Sequence, residues 1–351
     1  MALKLMQRLL VYILLLLAIA GGQPSLHADL GIFEKISSIW GGNKADAPEY
    51  QRVRSEVDED EAQALLDRAL MHDENGQSFR ANRLFKKIIK KYSESDAAAD
   101  ALFYRGYYYM TKERWKKAFY TFQQLVREHP KFEQFDRVVG AQFECATALM
   151  EGARGKIFGV IPGFRQYEEA NLQFEYLISN APYSDYAPLA LMNISIVANL
   201  RDKPEDAIDA LDRIINFYPQ SMLAPDAYYN LALTYSNLVN GEEYDQGATR
   251  QAISYYEDFL ILYPSNEFIG DVEANLKQME NLLANSRLNL GDFFYFYRSN
   301  NTAALTFYNE AITTAPDSDS AMIARERIKD IEAGVKPATS GNLFGKLLGV
   351  E

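Results

Sequence analysis

Few side chains in this chain could do chemistry. Its three histidines, His27, His72 and His129, lie too far apart in sequence to pair at metal-ligand spacing. The single cysteine, Cys145, sits in Phe-Glu-Cys-Ala-Thr-Ala-Leu. It can form neither an internal disulfide nor a cysteine metal site, and no nearby histidine would activate it, so a small buried thiol is expected. Gly152-Ala-Arg-Gly155-Lys156 resembles a phosphate loop, but its glycines are too close and Ile157 stands where a hydroxyl is needed. The acid pairs Glu168/Glu169 and Glu242/Glu243 read as solvated charge. With no zinc-protease, serine-hydrolase or dinucleotide pattern present, the expectation is a protein without catalytic residues, cofactor or metal.

Composition narrows the partners. The 351 residues carry a formal charge of −12, and residues 1–20 hold two cations, Lys4 and Arg8, and no acid. Such a chain repels nucleic acid, and no basic stripe with interleaved aromatics offsets that. The cluster Lys86, Lys87, Lys90 and Lys91 flanks Phe85, Ile88 and Ile89 and reads as the solvated face of an amphipathic helix. Apolar residues make up 48% of the chain, enough for a folded body.

The elements come from a repeated spacing. Ala81, Ala118, Ala170, Ala207, Ala252 and Ala304 are each followed twelve residues later by Ser93, Pro130, Pro182, Pro219, Pro264 and Pro316. Four residues after each alanine stands a large side chain: Phe85, Phe122, Phe174, Leu211, Tyr256 and Tyr308. A recurring unit with fixed internal spacing means a stack of one supersecondary module. In the second module Ala99, Leu102, Gly106 and Tyr109 mark a first helix, and Ala118, Phe122 and Leu125 a second, each with three- and four-residue apolar spacing. Gly106 and Ala118 are placed where the helices cross, and Phe122 fills the groove beside them. Pro130 lacks an N–H and stops the second helix.

This pattern resembles the tetratricopeptide repeat over residues 62–316. The expected fold is therefore all-α: a right-handed solenoid of about six helical hairpins closed by a capping helix at Ser318–Glu332. The alanines are spaced unevenly, at 37, 52, 37, 45 and 52 residues. The excess predicts insertions at Glu151–Phe164 and Asn240–Gly247, and an added helix at about Phe268–Ala284. In tetratricopeptide arrays the first helix of each hairpin lines an inner groove. Here that places Leu66, Leu70, Asp73, Asp100, Phe103, Tyr107 and Met110 as peptide-groove residues. Packing of Phe103 and Tyr107 on neighbouring repeats is the competing expectation.

At the N-terminus, Lys4 and Arg8 precede an apolar run from Leu9 to Ala20, the pattern of a signal peptide at 1–20. A flexible tether over 21–60, a solenoid over 61–333 and a flexible tail over 334–351 follow. The tether and the tail each carry a short apolar segment, read either as a docking arm or as a cap. Gly22 occupies the place where a lipoprotein has its lipid-bearing cysteine.

The phrase Tyr218-Pro219-Gln220-Ser221-x-x-Ala224-x-x-Ala227-Tyr228 is typical of bacterial periplasmic tetratricopeptide proteins. The stretch Leu276–Arg298, then Ala303-Ala304-Leu-Thr-Phe-Tyr-Asn-Glu-Ala-Ile, resembles the last modules of the BamD family, as does the glycine-rich insertion of the third module. That resemblance implies a periplasmic scaffold at the inner leaflet of the outer membrane. Its C-terminal modules would grip the periplasmic repeats of a β-barrel insertase, and its N-terminal modules would receive unfolded barrel segments. Family members are normally lipid-anchored, a feature Gly22 breaks, so any membrane attachment, such as peripheral outer-membrane association, must come from elsewhere. The alternative is a periplasmic coordinator of the Tol-Pal type, which carries a coiled coil ahead of fewer, regular modules; residues 29–60 show no sustained heptads.

Overall fold

The computed structural model describes residues 56–152, 156–157, 161–162, 166–239 and 246–335. The sequence expectations for the signal peptide, most of the tether and the C-terminal tail lie outside them. The described residues belong to one unit that begins at Glu56.

Thirteen α-helices follow one another among these residues. They are α1 (Glu56–Glu74), α2 (Ser78–Lys91), α3 (Asp96–Thr111), α4 (Trp115–Glu128), α5 (Phe135–Met150), α6 (Tyr167–Asn180) and α7 (Tyr186–Leu200). Then come α8 (Pro204–Phe217), α9 (Ala224–Leu238), α10 (Gln246–Leu262), α11 (Ile269–Asp292), α12 (Asn301–Thr314) and α13 (Asp319–Glu332). Each packs on the next in sequence, giving six hairpins and a closing helix in a helical-repeat solenoid. α1 starts five residues before the boundary expected at 61.

The repeated residues do what their spacing implied. Ala81, Ala118, Ala170, Ala207, Ala252 and Ala304 are all fully buried, and so are the large side chains four residues on. α4 ends at Glu128, two residues before exposed Pro130. Several helices start on a side-chain cap. The hydroxyls of Ser95 and Ser318 accept from the backbone N–H groups of Ala98 and Ala321, and the Asn300 carboxamide accepts from that of Ala303.

The turns inside hairpins share a backbone device. Gly76, Glu113, Asp202 and Ser299 have φ of 73°, 53°, 55° and 53°, and each stands five residues before its module's packing alanine. One left-handed residue reverses the chain and starts the second helix in register. Modules three and five carry their insertions at this same turn. In the third module, Lys156–Ile157 and Ile161–Pro162 pair as a two-residue antiparallel ladder.

The third expected insertion is corrected. No separate helix covers 268–284; that stretch is the first two thirds of α11 with its N-cap, one unbroken helix to Asp292. No Pro interrupts it, so the added turns extend the first helix of module six. α11 then widens into a π-helical turn at Phe293–Tyr297. Gly291 precedes Ala304 by thirteen residues, whereas Gly106 precedes Ala118 by twelve. The π turn absorbs the extra residue and keeps the crossing aligned.

Candidate functional site

The inner-groove set divides on burial. Leu66, Phe103 and Met110 are enclosed, with Phe103 only 2% exposed. Leu70, Asp100 and Tyr107 are half-buried and Asp73 is exposed. Phe103 lies edge-on to Tyr107 at 4.9 Å and against Phe132 at 5.4 Å, under the Arg137 guanidinium at 5.1 Å. Phe132 precedes α5 and Arg137 lies on it, so Phe103 is a joint between modules two and three rather than a contact offered to a partner. Tyr107 shares that cluster, meeting Phe122 at 5.4 Å, but keeps an accessible surface. Asp100 is held above the ordinary carboxylate range by burial and by the neighbouring charges of Asp96 and Glu133. Of the groove set, Leu70, Asp73, Asp100 and Tyr107 keep accessible surface.

The repeat-packing set Ala81, Gly106, Ala118, Phe122, Ala170, Ala207, Ala252 and Ala304 lies inside the stack and offers nothing to a ligand. Cys145 is also fully buried, and burial pushes its thiol well above the ordinary range, which removes it as a nucleophile. Among the described residues no cluster of His, Cys, Asp and Glu could hold a metal ion.

Two features escaped the sequence reading. The first is a set of polar ties between the second helices of neighbouring modules. Lys116 on α4 pairs with Glu169 on α6 at 2.5 Å. Glu175 on α6 receives both terminal nitrogens of Arg213 on α8, at 2.7 and 3.0 Å. Tyr255 on α10 donates to Asp212 on α8 at 3.1 Å. These residues lie on the polar sides of their helices, where periodicity distinguishes a solvated charge from a paired one only through its neighbours.

The second feature is a cavity of about 1050 Å³ at the turns leading out of α6 and α8, walled by Tyr183, Leu189, Phe217, Tyr218 and Met222. Tyr183 is 99% exposed and Met222 92%. The Tyr-Pro phrase acquires a mechanical role here: the Tyr218 hydroxyl donates to the Pro182 carbonyl at 2.7 Å, tying one turn to the preceding one. This apolar edge lies at a distance in sequence from the groove expected on modules one and two.

Comparison with known proteins places these modules. The family model described as "YfiO: Outer membrane lipoprotein" matches residues 164–332, and a tetratricopeptide-repeat model matches residues 66–131. The outer membrane protein assembly factor BamD of Rickettsia prowazekii is 26% identical over 148 residues, covering 42% of this chain and 59% of the relative. BamD of Xylella fastidiosa (strain Temecula1) is 26% identical over 159 residues, covering 42% of this chain and 54% of the relative. Over these modules the chain is similar to BamD. The chain spans between half and three-fifths of the length of these curated relatives. A solved structure titled "MamA RS-1 ArsTM double mutant" aligns at 14% identity and a TM-score of 0.33, covering 59% of this chain and 97% of that one. The BamD-like match runs from just before α6 to the end of α13. It therefore takes in the apolar turn edge and the Arg213–Glu175 and Tyr255–Asp212 ties, and leaves out the groove residues expected on the first two modules.

Proposed function

We propose that this chain is a non-enzymatic scaffold of the bacterial periplasm that helps assemble β-barrel proteins into the outer membrane. It binds a barrel insertase through that protein's periplasmic repeats, together with unfolded outer-membrane protein segments. The observation that carries the reading is the match of residues 164–332 to an outer membrane lipoprotein family. The names of the curated relatives, outer membrane protein assembly factors, point the same way. The physical picture agrees: a stack of hairpins offers long surfaces and, at its turn edge, exposed Tyr183, Phe217 and Met222 suited to burial against another protein. Among the described residues no helix is long and apolar enough to cross a membrane. The reading places the chain at the inner leaflet of the outer membrane.

Affinity purification of the tagged chain from detergent-solubilised native envelopes tests this. Recovery of a large barrel protein with periplasmic repeats is the expected result, and Tyr183→Asp/Met222→Asp should reduce it. Recovery of Tol or Pal components instead would overturn the assembly role in favour of the envelope coordinator. A clear rate of peptidoglycan hydrolysis by the purified chain would overturn the scaffold class altogether.

A further inference from the structure

α2 is a basic helix in an acidic chain. Its 14 residues hold six cations and no acid, while the whole chain carries a formal charge of −12. Phe79, Arg83, Lys86 and Lys90 recur four, three and four residues apart, so they form one line along the helix, about 16 Å long. The buried side chains Ala81, Phe85 and Ile88 lie on the opposite face. All four residues of the line are exposed, Phe79 by 67%. Lys91 is taken by Glu61 at 3.2 Å, and Arg80 donates to Gln77 at 2.9 Å. Among the described residues, Arg83, Lys86 and Lys90 have no ion-pair partner.

Solubility does not require this line. At the same places relative to the packing alanine, α6 carries Glu168, Glu169 and Glu175 and no cation, and α8 carries four acids and one cation, Arg213. On α4 the basic character is already weaker: Lys116 is held by Glu169 and Arg127 by Glu128. Like charges at three- and four-residue spacing repel and weaken a helix. Lys90 stands in the last turn and gains from the helix C-terminus, but Arg83 and Lys86 lie too far from it to do so. Unpaired cations are therefore gathered on the first module, in a row with an exposed aromatic, at a cost to α2 that an anionic partner would offset.

A nucleic acid would call for aromatics interleaved with the cations, and α2 offers one aromatic at one end of the line. An acidic peptide would satisfy the cations and leave Phe79 in water. A bilayer uses the pattern as it stands: long cationic side chains reach lipid phosphates while one apolar ring enters the headgroup boundary. We propose that this face of α2 docks on an anionic phospholipid surface. Arg83, Lys86 and Lys90 meet the headgroup phosphates, and Phe79 enters among the lipids. The face lies on the first module, outside the residues that match the outer membrane lipoprotein family, and gives a peripheral attachment that needs no covalently bound lipid. The proposal rests on the outer-membrane reading only for which bilayer is met in the cell.

The test is co-sedimentation of the full chain with vesicles, either an equal mixture of phosphatidylethanolamine and phosphatidylglycerol or phosphatidylcholine alone. The neutral vesicles measure what apolar segments contribute by themselves. Binding to the anionic vesicles should be at least about tenfold tighter, and the difference should shrink in high salt. Arg83→Gln/Lys86→Gln/Lys90→Gln should weaken anionic binding about a hundredfold, at about fivefold for each cation, and Phe79→Ser about tenfold. Arg250→Gln/Lys277→Gln/Lys329→Gln removes the same charge from exposed positions on α10, α11 and α13 and should change affinity by less than about twofold. Arg83→Lys/Lys86→Arg/Lys90→Arg keeps the charge and should bind like the parent chain, which separates loss of charge from loss of fold. Equal binding to the two kinds of vesicle, an anionic affinity that the first triple variant keeps, or an equal loss in the control triple would overturn the proposal. Binding of a polyglutamate peptide through these three cations, with none to vesicles, would also overturn it and give the face to an acidic protein. Failure to recover an insertase from envelopes would leave this result untouched, and failure here would leave the assembly reading untouched.

Discussion

A β-carbon placed on Gly106 would lie 2.3 Å from Cε1 of Phe122. The helix crossing of module two is thus closed to the smallest added group. Module six repeats the relationship, with a β-carbon on Gly291 falling 2.5 Å from the Tyr308 ring. Both rings are fully buried and have no room to retreat.

Gly106→Ala and Gly291→Ala should each destabilise the chain by about 1–3 kcal/mol through overpacking, partly offset by about 1 kcal/mol of helix propensity. Gly270→Ala is the matched control, since nothing lies within 4 Å of its added carbon. It should be neutral or stabilising by up to about 1 kcal/mol. Thermal melts of the three variants check the signs; a tolerated Gly106→Ala would mean that the crossing is looser than the structure has it.

The left-handed turn residues give the opposite opportunity. Glu113 and Ser299 hold φ of 53° with a side chain attached, where the first module uses Gly76. Ser299→Gly and Glu113→Gly should stabilise by up to about 1 kcal/mol, and Gly76→Ala should destabilise by about 1–2 kcal/mol. Denaturant midpoints at constant slope measure this.

Asp100 gives a pH signature. Its folded carboxyl titrates above the ordinary aspartate value, raised by burial first and then by the charges of Asp96 and Glu133. A raised acid binds its proton more tightly folded than unfolded. Ionising it therefore costs the native state stability as pH rises through the folded value. Asp100→Asn should melt about 1–3 °C higher than wild type at pH 7, with the difference closing as pH falls and gone below the unfolded value. An advantage that persists unchanged in acid would rule out this electrostatic origin.

Arg213 tests the ties between modules. Its fork grips both oxygens of Glu175 across α6 and α8, with the arginine side chain 27% and the glutamate 46% exposed. Solvent screening limits the pair, so Arg213→Ala should cost about 0.5–1.5 kcal/mol, and Arg213→Lys should recover less than half of that because an ammonium cannot make two parallel bonds. In a stack stabilised by nearest-neighbour contacts, this loss should also broaden the unfolding transition. Full recovery by lysine would show that charge alone matters there.

The helical stack was legible because its signals are local. A small residue where two helices cross, a large one a turn later and a proline past the end each act within a single hairpin. Their recurrence located all six hairpins and the Ser318-capped helix α13 from sequence alone. The one misplaced element, the helix expected at Phe268–Ala284, failed because an insertion length cannot say whether a new helix starts or an old one lengthens. The π turn that realigns Gly291 with Ala304 was visible only as one surplus residue.

Which groove residues stay accessible depended on approach between modules. Phe103 and Tyr107 have the same aromatic character in sequence, yet Phe132 and Arg137 from the next module cover the first and spare the second. Asn230 and Asn237 look like ordinary solvated helix residues until the fold sets them in the wall of one cavity with Asn199 and Lys203. Spacing along a chain fixes which face of a helix is apolar. How near the neighbouring helix comes is set by side-chain volumes summed across the whole interface, and only the folded stack decides it.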